Sequence, residues 1–214
     1  MRRGDFRDSL NLLSHINGRK LLNAAKVLGS YYYSRWSRKP IHKGLPVSLA
    51  IEPTTSCNLR CPQCPSGLRS FTRETGIINE VFFKTTIDAL YKELFYLTFY
   101  FQGEPYLHPD FTKMVAYASA KGIYTATSTN AHFLNNENAK KTVESGLDRL
   151  IISIDGATQE AYESYRIGGS LDKVLEGTQN ILKWKRQLRS RSYCTKPNSI
   201  SRLTDDTREP FQQS

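Results

Sequence analysis

From Val47 onward the chain alternates short apolar segments of strand length with longer helical patterns, and this alternation restricts the fold more than any other feature. Val47–Glu52 reads as a strand, followed by a cysteine-containing loop and a helical pattern through Val81, Ile87, Leu90 and Leu94. Tyr96–Phe101 is the next strand. Asp110 then precedes a helix carrying Phe111, Met114, Val115 and Ala118, which stops at Gly122. Ile123–Ser128 is a third strand, a helix over 136–145 leads to Gly146, and Arg149–Ile154 is a fourth, strongly apolar strand. Ser170 caps a last helix with Leu171, Val174, Leu175, Ile181 and Leu182 on its inner face. The later units repeat about every 26 residues, the spacing of strand–helix units joined by short right-handed crossovers in a parallel sheet. The expected fold is α/β, either doubly wound or a partial barrel of parallel strands.

Chemistry-bearing residues follow each strand. After the first come Cys57, Cys61 and Cys64; after the second, Gln102-Gly103-Glu104-Pro105; after the third, Ser128-Thr129-Asn130; and at the fourth, Ser153 and Asp155-Gly156. Parallel strands place their carboxyl ends on one face, where α/β proteins build ligand sites. Taken singly, Gly103-Glu104-Pro105 and Asp155-Gly156 read as turns and Asn130 as a cap. Their shared topological position points to one mouth.

The cysteines sit in Cys57-Asn58-Leu59-Arg60-Cys61-Pro62-Gln63-Cys64-Pro65, a C-x3-C-x2-C spacing with no nearby fourth cysteine. Structural metal sites close their coordination with four protein ligands, whereas reactive ones keep a position open. Thiolates select zinc, copper(I) or iron–sulfur clusters. Three of them suggest a cubane cluster with one free iron; a zinc site would need a fourth ligand from His42, His108, His132 or Cys194. Pro62 and Pro65 stiffen the loop and cannot donate, leaving Asn58, Leu59, Arg60 and Gln63 as backbone donors toward cluster sulfurs.

With 214 residues the chain is long enough for one hydrophobic core, and 39% hydrophobic content with 11% aromatics is globular. No run of 18 apolar residues suits a membrane span, and the start lacks a signal-peptide pattern. Four cysteines, three of them crowded, suit a reducing compartment, so a cytoplasmic location is expected. The net charge of +10 belongs to the ends: residues 1–46 hold 10 Lys/Arg against 2 Asp/Glu, while 47–184 hold 13 against 15. A basic nucleic-acid groove on the folded body is therefore not expected. In the first 46 residues, a basic helical extension, Leu21, Leu22, Ala25, Leu28 and Tyr32 recur at helical spacing. That stripe suits packing on the chain's own domain, with a membrane-surface helix as the alternative.

On Cys57-x3-Cys61-x2-Cys64 and Gly103-Glu104-Pro105 the chain resembles the radical S-adenosylmethionine superfamily, in its branch of SPASM-type peptide-modifying enzymes and the molybdenum-cofactor cyclase. The resemblance covers 47–185. It implies a [4Fe–4S] cluster on Cys57, Cys61 and Cys64, with S-adenosylmethionine chelating the fourth iron. Reductive cleavage would then yield a 5′-deoxyadenosyl radical that abstracts hydrogen from a small-molecule or peptide substrate. It further implies an electron donor such as flavodoxin or ferredoxin, oxygen sensitivity, and no catalytic residue beyond cluster and cofactor. Glu104, in the turn with Gly103 and Pro105, would accept the methionine ammonium. Asn130, Ser153 and Asp155 would contact the cofactor, and Arg166 would pair with its carboxylate. Two residues depart from the family pattern: Gln63 stands where an aromatic is common, and Gln102-Gly103 replaces a Gly-Gly pair.

The family's partial barrel has six strand–helix units, and this sequence offers four, spanning 47–187. Residues 188–214 lack the apolar run of a barrel strand and read as a polar, disordered tail. The expectation is a frame truncated or shifted near 189, with the fourth strand's edge left unpaired. The alternatives are a non-catalytic zinc-binding or interaction protein, or a cluster-binding chain without activity.

Overall fold

The computed structural model describes residues 3–190 and 192–195. Its centre is a five-stranded, wholly parallel sheet: β1 (Ser48–Ala50), β2 (Tyr96–Thr98), β3 (Tyr124–Thr129), β4 (Arg149–Ile152) and β5 (Tyr193–Thr195). The spatial order is the sequence order, β1-β2-β3-β4-β5. A doubly wound sheet reverses its strand order part-way; this one never does. Right-handed crossovers that always step the same way put their helices on one side, as in a barrel wall.

The crossovers are carried by α3 (Pro65–Leu68) and α4 (Glu80–Leu90), then α5 (Phe111–Ala120), then α6 (Asn136–Glu144), and finally α7 (Gln159–Tyr165) and α8 (Leu171–Gln187). Neighbouring crossovers pack together: α4 on α5, α5 on α6, α6 on α8. Most starts are capped by side chains. Asn79, Asn135, Thr158 and Ser170 each accept a backbone N–H of the first turn. Asp110 holds the N-cap position of α5 without such a bond, its carboxylate accepting from Lys113 instead.

The core runs along the sheet and under these helices, with Phe83, Ile87, Leu97, Phe99, Phe111, Met114, Leu150 and Ile181 almost wholly buried. The inner face of α4 differs from expectation. Phe83 and Ile87 are buried, whereas Val81 and Phe82 face solvent. The most enclosed strand, β3, is also the most polar. Its three threonines are buried because each hydroxyl has an acceptor: Thr125 to Asp148, Thr127 to the Phe99 carbonyl, Thr129 to Glu104.

Two expectations are corrected. The polar tail contains a strand: Tyr193–Thr195 pairs in parallel with β4, in the register Arg149↔Tyr193, Leu150↔Cys194, Ile151↔Thr195. Its three residues have no apolar run, because the open backbone edge of β4 templates it by hydrogen bonding. The remainder of the expected tail, from 196, lies outside the described residues. The second correction concerns the extension. α1 (Arg3–Ser14) and α2 (Gly18–Ser37) are helical, but the stripe of Leu21, Leu22, Leu28 and Tyr32 does not pack on the domain; all four are exposed. The buried residues of α2 are Lys20, Asn23 and Ser30. Lys20 Nζ donates to the Gly122 carbonyl at 2.6 Å, and Asn23 bridges both backbone groups of Leu45. These polar anchors outcompete the apolar stripe for the domain because they satisfy backbone groups the fold would otherwise bury unpaired.

Candidate cofactor site

The loops after β1, β2, β3 and β4 surround one cavity of about 170 Å³. Cys57, Cys61 and Cys64 line it, together with Gly103, Glu104, Asn130, Ser153 and Arg166. Of the residues singled out from sequence, Pro105 and Asp155 are not in the lining. Pro105 begins a short 3-10 turn, Pro105–Leu107, behind Glu104, and Asp155 is reached through Arg166.

Backbone bonds fasten the cysteine loop to its neighbours. The Glu104 N–H donates to the Ser56 carbonyl at 2.8 Å, tying the loop after β1 to the loop after β2. The Gly103 N–H donates to Ser66 Oγ at 2.8 Å. Gly103 has φ +75°, and a Cβ there would run into the Thr54 carbonyl oxygen, so only glycine fits. Gly67, on α3, lies so close that a Cβ would stand 2.5 Å from the Cys61 backbone nitrogen and oxygen. Neither Ser66 nor Gly67 stands out in the sequence, since both act through packing across the loop.

The sulfurs receive specific donors. The Leu59 N–H donates to Cys57 Sγ at 3.5 Å, and Asn130 Nδ2 approaches the same sulfur at 4.0 Å while donating to Asn58 Oδ1 at 2.8 Å. Arg166 Nη1 donates to Cys61 Sγ at 3.8 Å, and the Cys64 thiol donates to Gln102 Oε1 at 3.5 Å. One expected donor is spent elsewhere: the Arg60 N–H goes to the Ile167 carbonyl, closing the loop against the α7–α8 connection. Burial pushes the Cys57 thiol up from its ordinary range, so in this cavity it keeps its proton until a cation replaces it.

Glu104 is the deepest charge at the site, 2% exposed. Its Oε1 accepts the Thr129 hydroxyl at 2.7 Å and the Tyr106 N–H at 3.3 Å, and its Oε2 accepts the Asn130 N–H at 2.9 Å. Burial nevertheless raises the carboxyl to about 7. A buried carboxylate aimed at a cavity and short of positive charge suits a cationic ligand group.

Arg166 gives Nε and Nη2 to Asp155 Oδ2, each at 2.5 Å. An incoming carboxylate would therefore compete with Asp155 for this guanidinium. Ser128 and Ser153 hydroxyls face each other at 3.2 Å across the ends of β3 and β4. Ala131 turns the chain after β3 at φ +64°, which brings His132 back under Asn130. His132 Nε2 accepts the Ser170 N–H at 2.8 Å, so Nδ1 carries the proton and donates to the Asn130 carbonyl and Oδ1 at 3.0 and 3.1 Å.

Among the described residues no group of three or more His, Cys, Asp and Glu is gathered about a single metal ion. Two of the three histidines considered as a fourth ligand are engaged elsewhere: His132 as above, and His108 through the Asp110 N–H and the Ile78 carbonyl.

Comparison with known proteins identifies the family and the fold. The family model described as the Radical SAM superfamily matches residues 51–184. The chain is 34% identical over 137 residues to the mycofactocin maturase MftC of Mycobacterium tuberculosis, covering 64% of this chain and 34% of that protein. It is 32% identical over 128 residues to the Fe-coproporphyrin III synthase of Methanosarcina barkeri, covering 59% and 32%. The chain thus spans about a third of the length of these curated relatives. Among solved structures, Streptococcus suis SuiB bound to S-adenosylmethionine aligns with a TM-score of 0.60 at 16% identity, covering 82% of this chain and 40% of that one. Methylornithine synthase aligns with a TM-score of 0.51 at 18% identity, covering 89% and 56%. At these identities the structural likeness concerns the fold.

Proposed function

The chain belongs to the radical SAM superfamily, and from that membership we propose that Cys57, Cys61 and Cys64 hold a [4Fe–4S] cluster beside a bound S-adenosylmethionine. The observation that carries this reading is the convergence of the three thiols and the buried Glu104 carboxylate on one cavity. When bound, cluster and cofactor supply reductive cleavage of the sulfonium to methionine and a 5′-deoxyadenosyl radical that abstracts a substrate hydrogen atom.

The chain's own residues bind, orient and exclude water. Glu104, ionised on meeting the methionine ammonium, holds the amino-acid end against the β2 loop, whose turn residue Gly103 packs tightly on the Thr54 carbonyl. Asn130 spans Cys57 and Asn58 and so sets the spacing between cluster loop and cofactor. Ser153 offers a hydroxyl at the end of β4, and Arg166 balances negative charge beside Cys61. Burial favours the protonated Cys57 thiol, and its proton leaves as metal binds, so loading is favoured as pH rises.

The likeness to a maturase supports a peptide as substrate. To this we add a small reductant such as flavodoxin or ferredoxin as electron donor, on the family resemblance, and a reducing, cytoplasmic setting, on the crowded free cysteines. The test is anaerobic reconstitution with iron and sulfide, followed by S-adenosylmethionine and dithionite. A brown protein with about four irons per chain that forms 5′-deoxyadenosine, both lost in Cys61→Ala, is expected. A colourless protein retaining one tight zinc, or a cluster-loaded protein forming no 5′-deoxyadenosine, would refute it.

A further inference from the structure

α2 is attached to the domain by the wrong face for a helix whose apolar residues serve the core. At about 100° per residue, Asn23, Ser30 and Ser34 fall on one side, and Leu21, Leu22, Leu28, Tyr32 and Trp36 on the opposite side. The structure agrees with the wheel. Asn23, Ser30 and Ser34 bind the returning segment through Leu45, Lys43 and Ile41, while Leu22 is 65% and Trp36 81% exposed. α1 repeats the arrangement. Its Asp8 and Asn11 hold the sheet through Tyr124, Arg149 and Asp148, while Phe6, Leu10 and Leu13 face solvent.

The charge around this apolar face is almost wholly positive. Residues 1–46 hold 10 Lys/Arg against 2 Asp/Glu, and Asp8 is already paired with Arg149. Lys26 and Arg35 flank the stripe of α2, with Arg38 and Lys39 beyond its end; none of the four has an ion pair among the described residues. Tyr31, Tyr32, Tyr33 and Trp36 crowd the same end as Arg35 and Arg38. Exposed apolar residues, amphipathic aromatic rings and unpaired cations on one helix are what an anionic lipid surface binds.

We propose that α2, assisted by α1, seats this protein on a membrane surface containing anionic lipids. The attachment lies at the amino-terminal ends of the strands. Asp8 meets Tyr124 at the start of β3 and Arg149 at the start of β4, and Lys20 meets Gly122 just before β3. The cysteine cavity lies at the carboxyl ends. Surface binding therefore leaves the mouth facing water, open to a soluble substrate and reductant. This inference rests on the extension alone and is independent of the cluster reading.

Flotation of the full chain with vesicles of phosphatidylcholine alone, or phosphatidylcholine mixed with phosphatidylglycerol, tests it. Binding to the mixed vesicles, weak binding to the neutral ones, and release at high salt are expected. Lys26→Glu with Arg35→Glu should weaken partition by roughly fivefold per charge removed. Leu22→Asp with Trp36→Asp should abolish it; all four positions are exposed, and an unchanged melting curve verifies the fold. Equal partition onto neutral and anionic vesicles, no partition onto either, or undiminished binding by both double variants would overturn the proposal. So would a concentration-dependent dimer that the Leu22 and Trp36 variant dissociates without any lipid binding, since that would assign the face to a second copy.

Discussion

The Glu104 carboxylate accepts the Thr129 hydroxyl at 2.7 Å, and with that bond the loop after β2 is held to the end of β3. The Asn130 N–H adds a second bond to the other oxygen, so both walls of the cavity lean on a single buried acid. What this acid does with its proton has consequences for both stability and ligand binding.

Burial raises Glu104 from 4.5 to about 7. The folded state therefore binds this proton more tightly than the unfolded chain. Its contribution to stability is complete below pH 4.5 and is lost as pH rises through about 7. Glu104→Gln should remove that loss, so urea melts of variant and parent at pH 5 and pH 8 should differ in their pH dependence by roughly 3 kcal/mol. A cationic ammonium at Glu104 favours the ionised form, so the parent's affinity for S-adenosylmethionine should rise with pH up to about 7 and then level. Calorimetric titration across that range checks it, with Glu104→Gln expected to show weak, pH-independent binding.

Gly103→Ala should be among the most damaging single-methyl changes in the chain. It combines a φ of +75° with a clash against the Thr54 carbonyl, and the expected cost is about 3 kcal/mol. Thermal unfolding of the apo protein reads this directly. Gly122→Ala, with a similar φ but open space, should cost only about 1 kcal/mol.

His132 joins Asn130 to the first turn of α8 by accepting the Ser170 N–H. Burial holds its pKa below the usual 6.5. Its contribution is therefore present above pH 6.5 and lost as pH falls through the lowered folded value. His132→Phe should cost about 1–2 kcal/mol at pH 8 and less at pH 5, by denaturant melts at the two pH values.

Asp148 is the anchor of the extension. This buried carboxylate accepts the Thr125 N–H at 2.8 Å, Asn11 Nδ2 at 2.7 Å and the His15 ring at 3.2 Å. The bond to Asp148 raises the His15 pKa, so that pair contributes fully below pH 6.5 and fades as pH rises through the raised folded value. Asp148→Ala should destabilise by about 3 kcal/mol and release α1, seen as new cleavage sites before Gly18 in limited proteolysis.

The alternation of strands and helices was legible because each apolar run has strand length and helical stripes are bounded by Asp110, Gly122, Gly146 and Ser170; the short α7 carried no such pattern. The cavity was legible from topology, since Cys57, Glu104, Asn130 and Ser153 each follow a strand of one parallel sheet. β5 was not legible: Tyr193-Cys194-Thr195 is too short to carry a pattern and is specified by the edge of β4. Nor was the orientation of α2, whose apolar periodicity is the same whether it faces a core or a membrane.

The sequence by itself determined the parallel architecture, the cysteine loop at the end of its first strand and the residues available around it. These follow from local patterns, which act over a few residues. Only the tertiary structure decided three further points. It assigned the two Glu104 oxygens to the β3 end, committed Arg166 to Asp155 and Cys61, and turned the polar face of α2 inward. Each depends on which distant backbone groups would otherwise be buried unpaired, and that competition exists only once the strands have come together.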